Sequence, residues 1–194
     1  MSWRSDINRL RSTKPYLRSW SEATGRFETQ MSAHALEIVQ SLILISAANG
    51  APVLAAWALR ARPARPIDGG MRLPDGYPLL GPSKTWRGLV SAIVFASCVA
   101  VLVGLPWRLG ALAGACAMLG DGLSSFVKRR FGLEPSSMAL GLDQVPESLV
   151  PAIACSAYLP LDAIDVAAIV LVFSVGELAG SRLFFAIGLR DRPY

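Results

Sequence analysis

The residues able to do chemistry fall in three short stretches. The densest is Leu119-Gly120-Asp121-Gly122-Leu123-Ser124-Ser125-Phe126-Val127-Lys128-Arg129-Arg130. At helical spacing Asp121, Ser124, Ser125 and Lys128 stand at i, i+3, i+4 and i+7, so a carboxylate, two hydroxyls and an ammonium share one face. An Asp inside an apolar span costs about 2.5 to 3.5 kcal/mol on insertion scales and is by default a functional hypothesis. Lys128-Arg129-Arg130 alone reads equally as a basic cluster ending a span. Such a cluster needs no acid one to two turns deeper, although an Asp–Lys pair formed only to ease insertion would also explain Asp121.

The second stretch is Gly81-Pro82-Ser83-Lys84-Thr85-Trp86-Arg87-Gly88. Lys84 and Arg87, three apart near a helix start, with Thr85 and backbone N–H groups beside them, suit a phosphate. The G-x-x-x-x-G-K-[ST] spacing of a Walker A loop is absent, and an interfacial anchor built on Trp86 is the competing reading. The third stretch, Leu140 to Ser148, offers Asp143 and Glu147 before another apolar run, where a carboxylate can equally be a helix cap or dipole partner. Together the three have a chemical logic. Asp121 and Asp143 can hold Mg2+, which binds through one or two carboxylates plus substrate phosphate oxygens, while Lys84, Arg87, Lys128 and Arg129 neutralise a triphosphate. A phosphate monoester acceptor is already anionic near neutral pH and needs no histidine base, which matches a chain whose single histidine is His34.

The elements that must position these groups are apolar. The chain has 194 residues, 53% hydrophobic and 17% charged, with a net charge of +5; its mean hydropathy is +0.43. The apolar residues gather in long runs, so the bilayer is the expected solvent. Cys98, Cys116 and Cys155 lie within those runs, away from any second ligand at metal spacing, and read as packing residues. Five spans are expected: Leu36 to Leu59, Leu89 to Leu105, Leu109 to Val127, Glu147 to Leu161 and Ile164 to Ile187. The first should kink or unwind at Ala48-Asn49-Gly50-Ala51-Pro52. The second and third form a helical hairpin around Pro106-Trp107-Arg108. The fourth carries Pro151 and Pro160 and is short, and the fifth contains Glu177 and Arg182, which do not face each other on one helix.

With five spans, the Arg60 to Arg87 loop, the Lys128 to Pro146 loop and the C-terminal tail share one side, which holds twelve of the nineteen basic residues. That side is expected to be cytoplasmic. Six more basic residues lie in Met1 to Gln30, against the rule. The division expected is therefore a basic extension, 1–30, and a single transmembrane domain, 31–194, with translation starting at Met31; N-terminal sequencing that found an intact Met1 or Ser2 would contradict that start. The other reading of 1–30 is a basic tail lying on a membrane surface.

The stretches resemble the CDP-archaeol synthases, relatives of the phosphatidate cytidylyltransferases. The matching features are Ala48-Asn49-Gly50-Ala51-Pro52, Gly81 to Gly88, Gly120-Asp121-x-x-Ser124-Ser125-Phe126-x-Lys128-Arg129-Arg130, and Leu142-Asp143-Gln144, within roughly Ala35 to Leu189. The resemblance implies an all-α integral membrane protein of five transmembrane helices with cytoplasmic catalytic loops, in the cell membrane. It implies transfer of cytidylyl from CTP to a lipid phosphate such as unsaturated archaetidic acid or a phosphatidic-acid-like lipid, with magnesium and release of pyrophosphate. The partners implied are CTP, the lipid phosphate and the bilayer, with no nucleic acid. Catalytic roles fall to Lys84, Arg87, Asp121, Lys128 and Asp143, metal ligation to Asp121 and Asp143, and substrate binding to Asn49, Thr85, Ser124, Ser125 and Arg129. Archaeal members tend to continue Leu-Asp-Gln with a further acid; this chain has Val145-Pro146, so Glu147 substitutes or that ligand is lost.

Two other readings have discriminating features. A CDP-alcohol phosphotransferase would show Asp-Gly followed by Ala-Arg and two later spaced aspartates, whereas Gly122 is followed by Leu-Ser-Ser. A non-enzymatic lipid-binding or transport protein would favour paired inverted repeats, and none is visible, although Glu177 is better explained by that reading.

Overall fold

The computed structural model describes residues 15–59, 62–133, 137 and 139–186. The chain divides into two units between Leu36 and Glu37. In the first, the described residues are helical from Pro15. Five helices are formed: α1 Pro15–Ala58, α2 Trp86–Leu102, α3 Trp107–Arg130, α4 Gln144–Ser156 and α5 Ala163–Ala186. Among the described residues the only extended pairings are two isolated bridges, Pro66 with Thr85 and Arg72 with Pro78.

Among the described residues three helical segments are long and apolar enough to cross a membrane: His34–Ala58, Trp107–Arg130 and Ala163–Arg182. At about 1.5 Å per residue α2 reaches roughly 26 Å and α4 only about 20 Å. The expected fourth span is thus a shorter helix than a crossing requires. It starts earlier, at Gln144, and stops at Ser156, ahead of Pro160. Of the kink or local unwinding expected at Asn49 and Pro52, the unwinding is not the outcome: α1 stays helical through Pro52 to Ala58. In an apolar setting an unwound turn would strand its backbone groups. Asn49 does not compete with the ladder but adds to it, its Nδ2 donating to Ile45 O at 3.1 Å.

The contact between α2 and α3 is built from small residues, while Leu44, Ile45, Ile169 and Phe173 fill the core where α1 and α5 contribute. Ala92, Ala96 and Ala100 on α2 are fully buried, and they meet Gly110, Ala113, Gly114 and Ala117 on α3. A Cβ placed on Gly110 would stand 2.3 Å from Ala96 O, so the two backbones touch. That is the small-residue mode by which helices associate in lipid, where apolar burial between helices offers little. Many large side chains point outward: Val94, Val101, Leu119, Leu171 and Val175 are all exposed, as a lipid-facing surface requires.

The helix ends follow local chemistry. Thr85 caps α2, its Oγ1 accepting from Gly88 N at 3.2 Å. Gly104, at φ +81, lets the chain turn from α2 into α3, with Leu105 N donating back to Ala100 O. Asp162 and Asp165 start α5 reciprocally: Asp162 Oδ1 accepts from Asp165 N and Asp165 Oδ2 from Asp162 N. α3 packs on α2 and α4, and α4 packs on α5, so α3 lies at the centre of the group that carries the polar residues.

Candidate active site

The last three turns of α3 carry the polar face that the spacing implies. Asp121 pairs with Lys84, which arrives from the loop preceding α2. Lys128 pairs with Asp143 at 2.6 Å and donates to Ser137 O at 3.0 Å. Arg129 also acts electrostatically on Asp143, and Lys128 on Asp121. Two loops far apart in sequence are thus gathered onto one helix end by ion pairs. Lys128 is 7% exposed and Arg129 2%; cations so covered are ordinarily held by carboxylates or anions, because an unpaired buried charge is costly.

Asp143 occupies the residue before α4 but does not cap it; its Oδ2 accepts from Ala139 N at 2.9 Å, shaping the loop, while Oδ1 faces Lys128. Gln144 Oε1 closes the same loop by accepting from Gly141 N at 2.8 Å. One turn further along α4, Glu147 shares a hydrogen bond with the Asp121 carboxyl and interacts with Lys84. This contact depends on Gly120: a Cβ there would stand 2.1 Å from Pro146 O and 2.9 Å from Glu147 N. The backbone of α4 therefore rests directly on α3 one residue before Asp121. Asn49 fixes it from the other side, its Nδ2 also 3.4 Å from Glu147 O. Glu177 of α5 interacts electrostatically with Glu147, which extends the network to a fourth helix.

The remaining residues singled out in the sequence have more local partners. Thr85 is the α2 cap. Ser124 Oγ donates to Asp121 O at 2.9 Å, and Ser125 is buried on the same face. Arg87 turns toward the end of α1, donating to Leu59 O at 3.2 Å and Arg62 O at 3.1 Å. The structure therefore brings Lys84, Asp121, Lys128, Arg129 and Asp143 together, with Asn49 at their edge, and gives Arg87 backbone partners.

The loop that delivers Lys84 is ordered by Asp68. Its Oδ2 accepts from Leu80 N and Gly81 N at 2.9 and 3.0 Å, and its Oδ1 from Gly70 N at 2.9 Å. Burial pushes the Asp68 carboxyl up, but the N–H donors of Gly81, Gly70 and Leu80 together outweigh it and hold the group below the usual aspartate value. Sequence spacing alone pointed neither to this loop anchor nor to the Asp121–Glu147 contact as such. The available signals were an acid twelve residues before Leu80, and the i, i+4 spacing of Asp143 and Glu147 at the start of α4.

The chain is similar to known proteins over most of its length. The family model described as "CarS-like: CDP-archaeol synthase" matches residues 38–194. A CDP-archaeol synthase of Hyperthermus butylicus is 44% identical over 116 residues, 57% of this chain and 66% of that protein, just under two thirds of its length. A CDP-archaeol synthase of Aeropyrum pernix is 34% identical over 170 residues, 82% of this chain and 92% of that one. A solved structure of an intramembrane enzyme for archaeal membrane lipids biosynthesis superposes with a TM-score of 0.65 at 29% identity, covering 73% of this chain and 90% of the other. On the fold, the membrane-length helices and these matches, the chain belongs to the CDP-archaeol synthase family.

Proposed function

We propose that this protein is a CTP-dependent cytidylyltransferase that converts a membrane lipid phosphate into a CDP-activated lipid and pyrophosphate. The acceptor is unsaturated archaetidic acid or a phosphatidic-acid-like lipid, and the reaction takes place on the cytoplasmic side of the cell membrane. The observation that carries this reading is the burial of Lys128 and Arg129 beside Asp143, next to the Lys84–Asp121 pair, at the ends of apolar helices. Anion-binding cations and cation-binding carboxylates set side by side suit a metal-bound triphosphate.

In this mechanism an oxygen of the lipid phosphate attacks the α-phosphorus of CTP. The bond from that phosphorus to the bridging oxygen of the β-phosphate breaks, and pyrophosphate leaves. The nucleophile is already anionic, so no protein base is required. Lys84, Lys128 and Arg129 hold the triphosphate and offset the charge that builds on the leaving oxygen. Thr85, Ser124 and Ser125 add hydroxyls on the neighbouring helix turns, Arg87 ties the start of α2 to the end of α1 through Leu59 O and Arg62 O, and Asn49 keeps α4 in register through its bond to Glu147 O.

The donor set fits magnesium. The oxygens are carboxylates, hard ligands, and among the described residues no three His, Cys, Asp or Glu side chains gather into a ready-made metal cage. An ion arriving with the nucleotide needs only one or two carboxylates. Asp121 and Asp143 would hold it, with the Glu147 carboxyl beside Asp121 as a further donor. When bound it would neutralise phosphate charge and polarise the α-phosphorus.

An open apolar groove between α4 and α5, lined by residues including Val145, Leu149, Val166, Val170 and Leu171, begins two residues from Asp143 and suits a lipid chain. The test is isotopic: with CTP labelled at the α-phosphate, the label is expected in the lipid phase, and with CTP labelled at the γ-phosphate, in pyrophosphate. Label from the γ-position in the lipid would contradict the reading.

A further inference from the structure

The loop that carries Lys84 is held by α3 at two points, and only one of them is the Lys84–Asp121 pair. The second lies at the end of α3. Residues Arg72 to Pro78 form a tight hairpin on their own backbone: Leu73 N donates to Tyr77 O at 3.0 Å, Gly76 N to Leu73 O at 2.9 Å, and Gly76 sits at φ +82. Asp75 stands at its tip, where Oδ1 accepts from Tyr77 N at 3.0 Å.

Arg130, the last residue of α3, grips that hairpin. Its Nη1 pairs with the Asp75 carboxylate and its Nη2 donates to Pro78 O at 2.7 Å. The guanidinium carbon lies 5.2 Å from the centre of the Phe126 ring, one turn back on the same helix, which fixes the direction of the fork. Tyr77 adds a second contact, its hydroxyl lying over Gly132, where a Cβ would come within 3.1 Å of it. Two residues past Pro78 the chain reaches Leu80 and Gly81, whose N–H groups Asp68 accepts, and then Lys84. From Arg130 to Asp121 is nine residues, or about 13 Å along the helix. A single rigid rod thus fixes the segment from Asp75 to Lys84 at both ends.

We infer that Arg130 is a positioning residue: through Asp75 and the Pro78 carbonyl it sets the loop so that the Lys84 ammonium is held for the triphosphate of CTP. This rests on the cytidylyltransferase reading above. Arg130 is the odd member of the Lys128-Arg129-Arg130 run, since its two neighbours turn into the buried cluster while it turns to the loop. An arginine is needed because one planar fork must serve a carboxylate and a carbonyl while lying on an aromatic face; a lysine can make the ion pair but not all three contacts.

The test measures CTP binding to the full-length protein in detergent, apart from turnover, for Arg130→Ala, Arg130→Lys, Asp75→Asn, Arg130→Ala/Asp75→Asn, Lys84→Met and Lys84→Met/Asp75→Asn. Arg130→Ala is expected to raise Kd for CTP about tenfold, the loss of one charge-assisted contact. Arg130→Lys and Asp75→Asn are each expected to raise it about threefold, and the Arg130→Ala/Asp75→Asn double variant no more than Arg130→Ala alone, because the pair acts as a unit. Lys84→Met is expected to raise Kd, and adding Asp75→Asn to it to have no further effect. A purely structural role for the contact would weaken binding equally with or without Lys84. Asp75 is exposed at a loop tip, so its variant tests the idea even where Arg130→Ala fails to fold. Wild-type affinity in Asp75→Asn, or additive losses with Lys84→Met, would overturn the proposal. Absence of CTP binding by the wild-type protein would instead overturn the cytidylyltransferase reading on which it rests.

Discussion

Replacing Gly120 by alanine tests the site at its tightest point. The new methyl carbon would stand 2.1 Å from Pro146 O, 2.5 Å from Pro146 C and 2.9 Å from Glu147 N. All three are backbone atoms of α4, so no side chain can swing aside, and α4 must move off α3 by about 1 Å to restore van der Waals contact. Overpacking of this kind costs roughly 1 to 3 kcal/mol. Alanine in place of glycine inside a helix returns about 1 kcal/mol, leaving a net loss of roughly 0 to 2 kcal/mol. The helix that moves carries Glu147 and follows directly on Asp143, and a misplacement of about 1 Å at a reacting centre can cost on the order of a hundredfold in rate. Gly120→Ala is therefore expected to fold, with a midpoint of thermal unfolding in detergent within several degrees of wild type, and to lose about a hundredfold in kcat. Gly122→Ala is the control. Nothing lies within 4 Å of a Cβ at that position, so it should keep full activity. CDP-lipid formation measured for both variants decides the matter: Gly120→Ala working within about twofold of wild type, or Gly122→Ala failing as badly, would refute the reasoning.

Asp121→Asn should abolish turnover while leaving the fold intact, because Glu147 remains close enough to neutralise Lys84; near-wild-type rates with normal unfolding would remove Asp121 from the chemistry. The depressed Asp68 carboxyl makes the loop pH-dependent. Since its folded value lies below the ordinary 3.8, its contribution to loop stability is present above that value and is lost as pH falls through the lower, folded value. Amide exchange at Leu80 and Gly81 should thus stay slow near pH 5 and accelerate only below about pH 4. In Asp68→Asn exchange should be fast throughout, and an unchanged profile would show that other contacts order the loop.

How much of this was legible in the sequence depended on the range of the interaction. The α3 face was readable because helical periodicity alone puts Asp121, Ser124, Ser125 and Lys128 on one side. The helical hairpin of α2 and α3 was readable from the Pro106-Trp107-Arg108 turn between two apolar runs. What brings Lys84 to Asp121, 37 residues apart, is tertiary, and spacing gave no distance for it. The Arg130–Asp75 grip, across 55 residues, left no periodic trace at all. Pro52 does not unwind its helix: in apolar surroundings the rest of the ladder is worth more than the one missing donor. Glu147 was visible as a cap or ligand candidate and Glu177 as an acid within the fifth expected span, yet their mutual approach follows from the packing of α4 on α5.

The central claim, that a lipid phosphate displaces pyrophosphate from CTP, is tested most directly by pyrophosphate release from the purified protein in detergent with magnesium, against a panel of ester- and ether-linked lipid phosphates. Release is expected only when both CTP and a lipid phosphate are present, in equal amount to the CDP-lipid formed. Folded protein that releases no pyrophosphate with any lipid phosphate would contradict it.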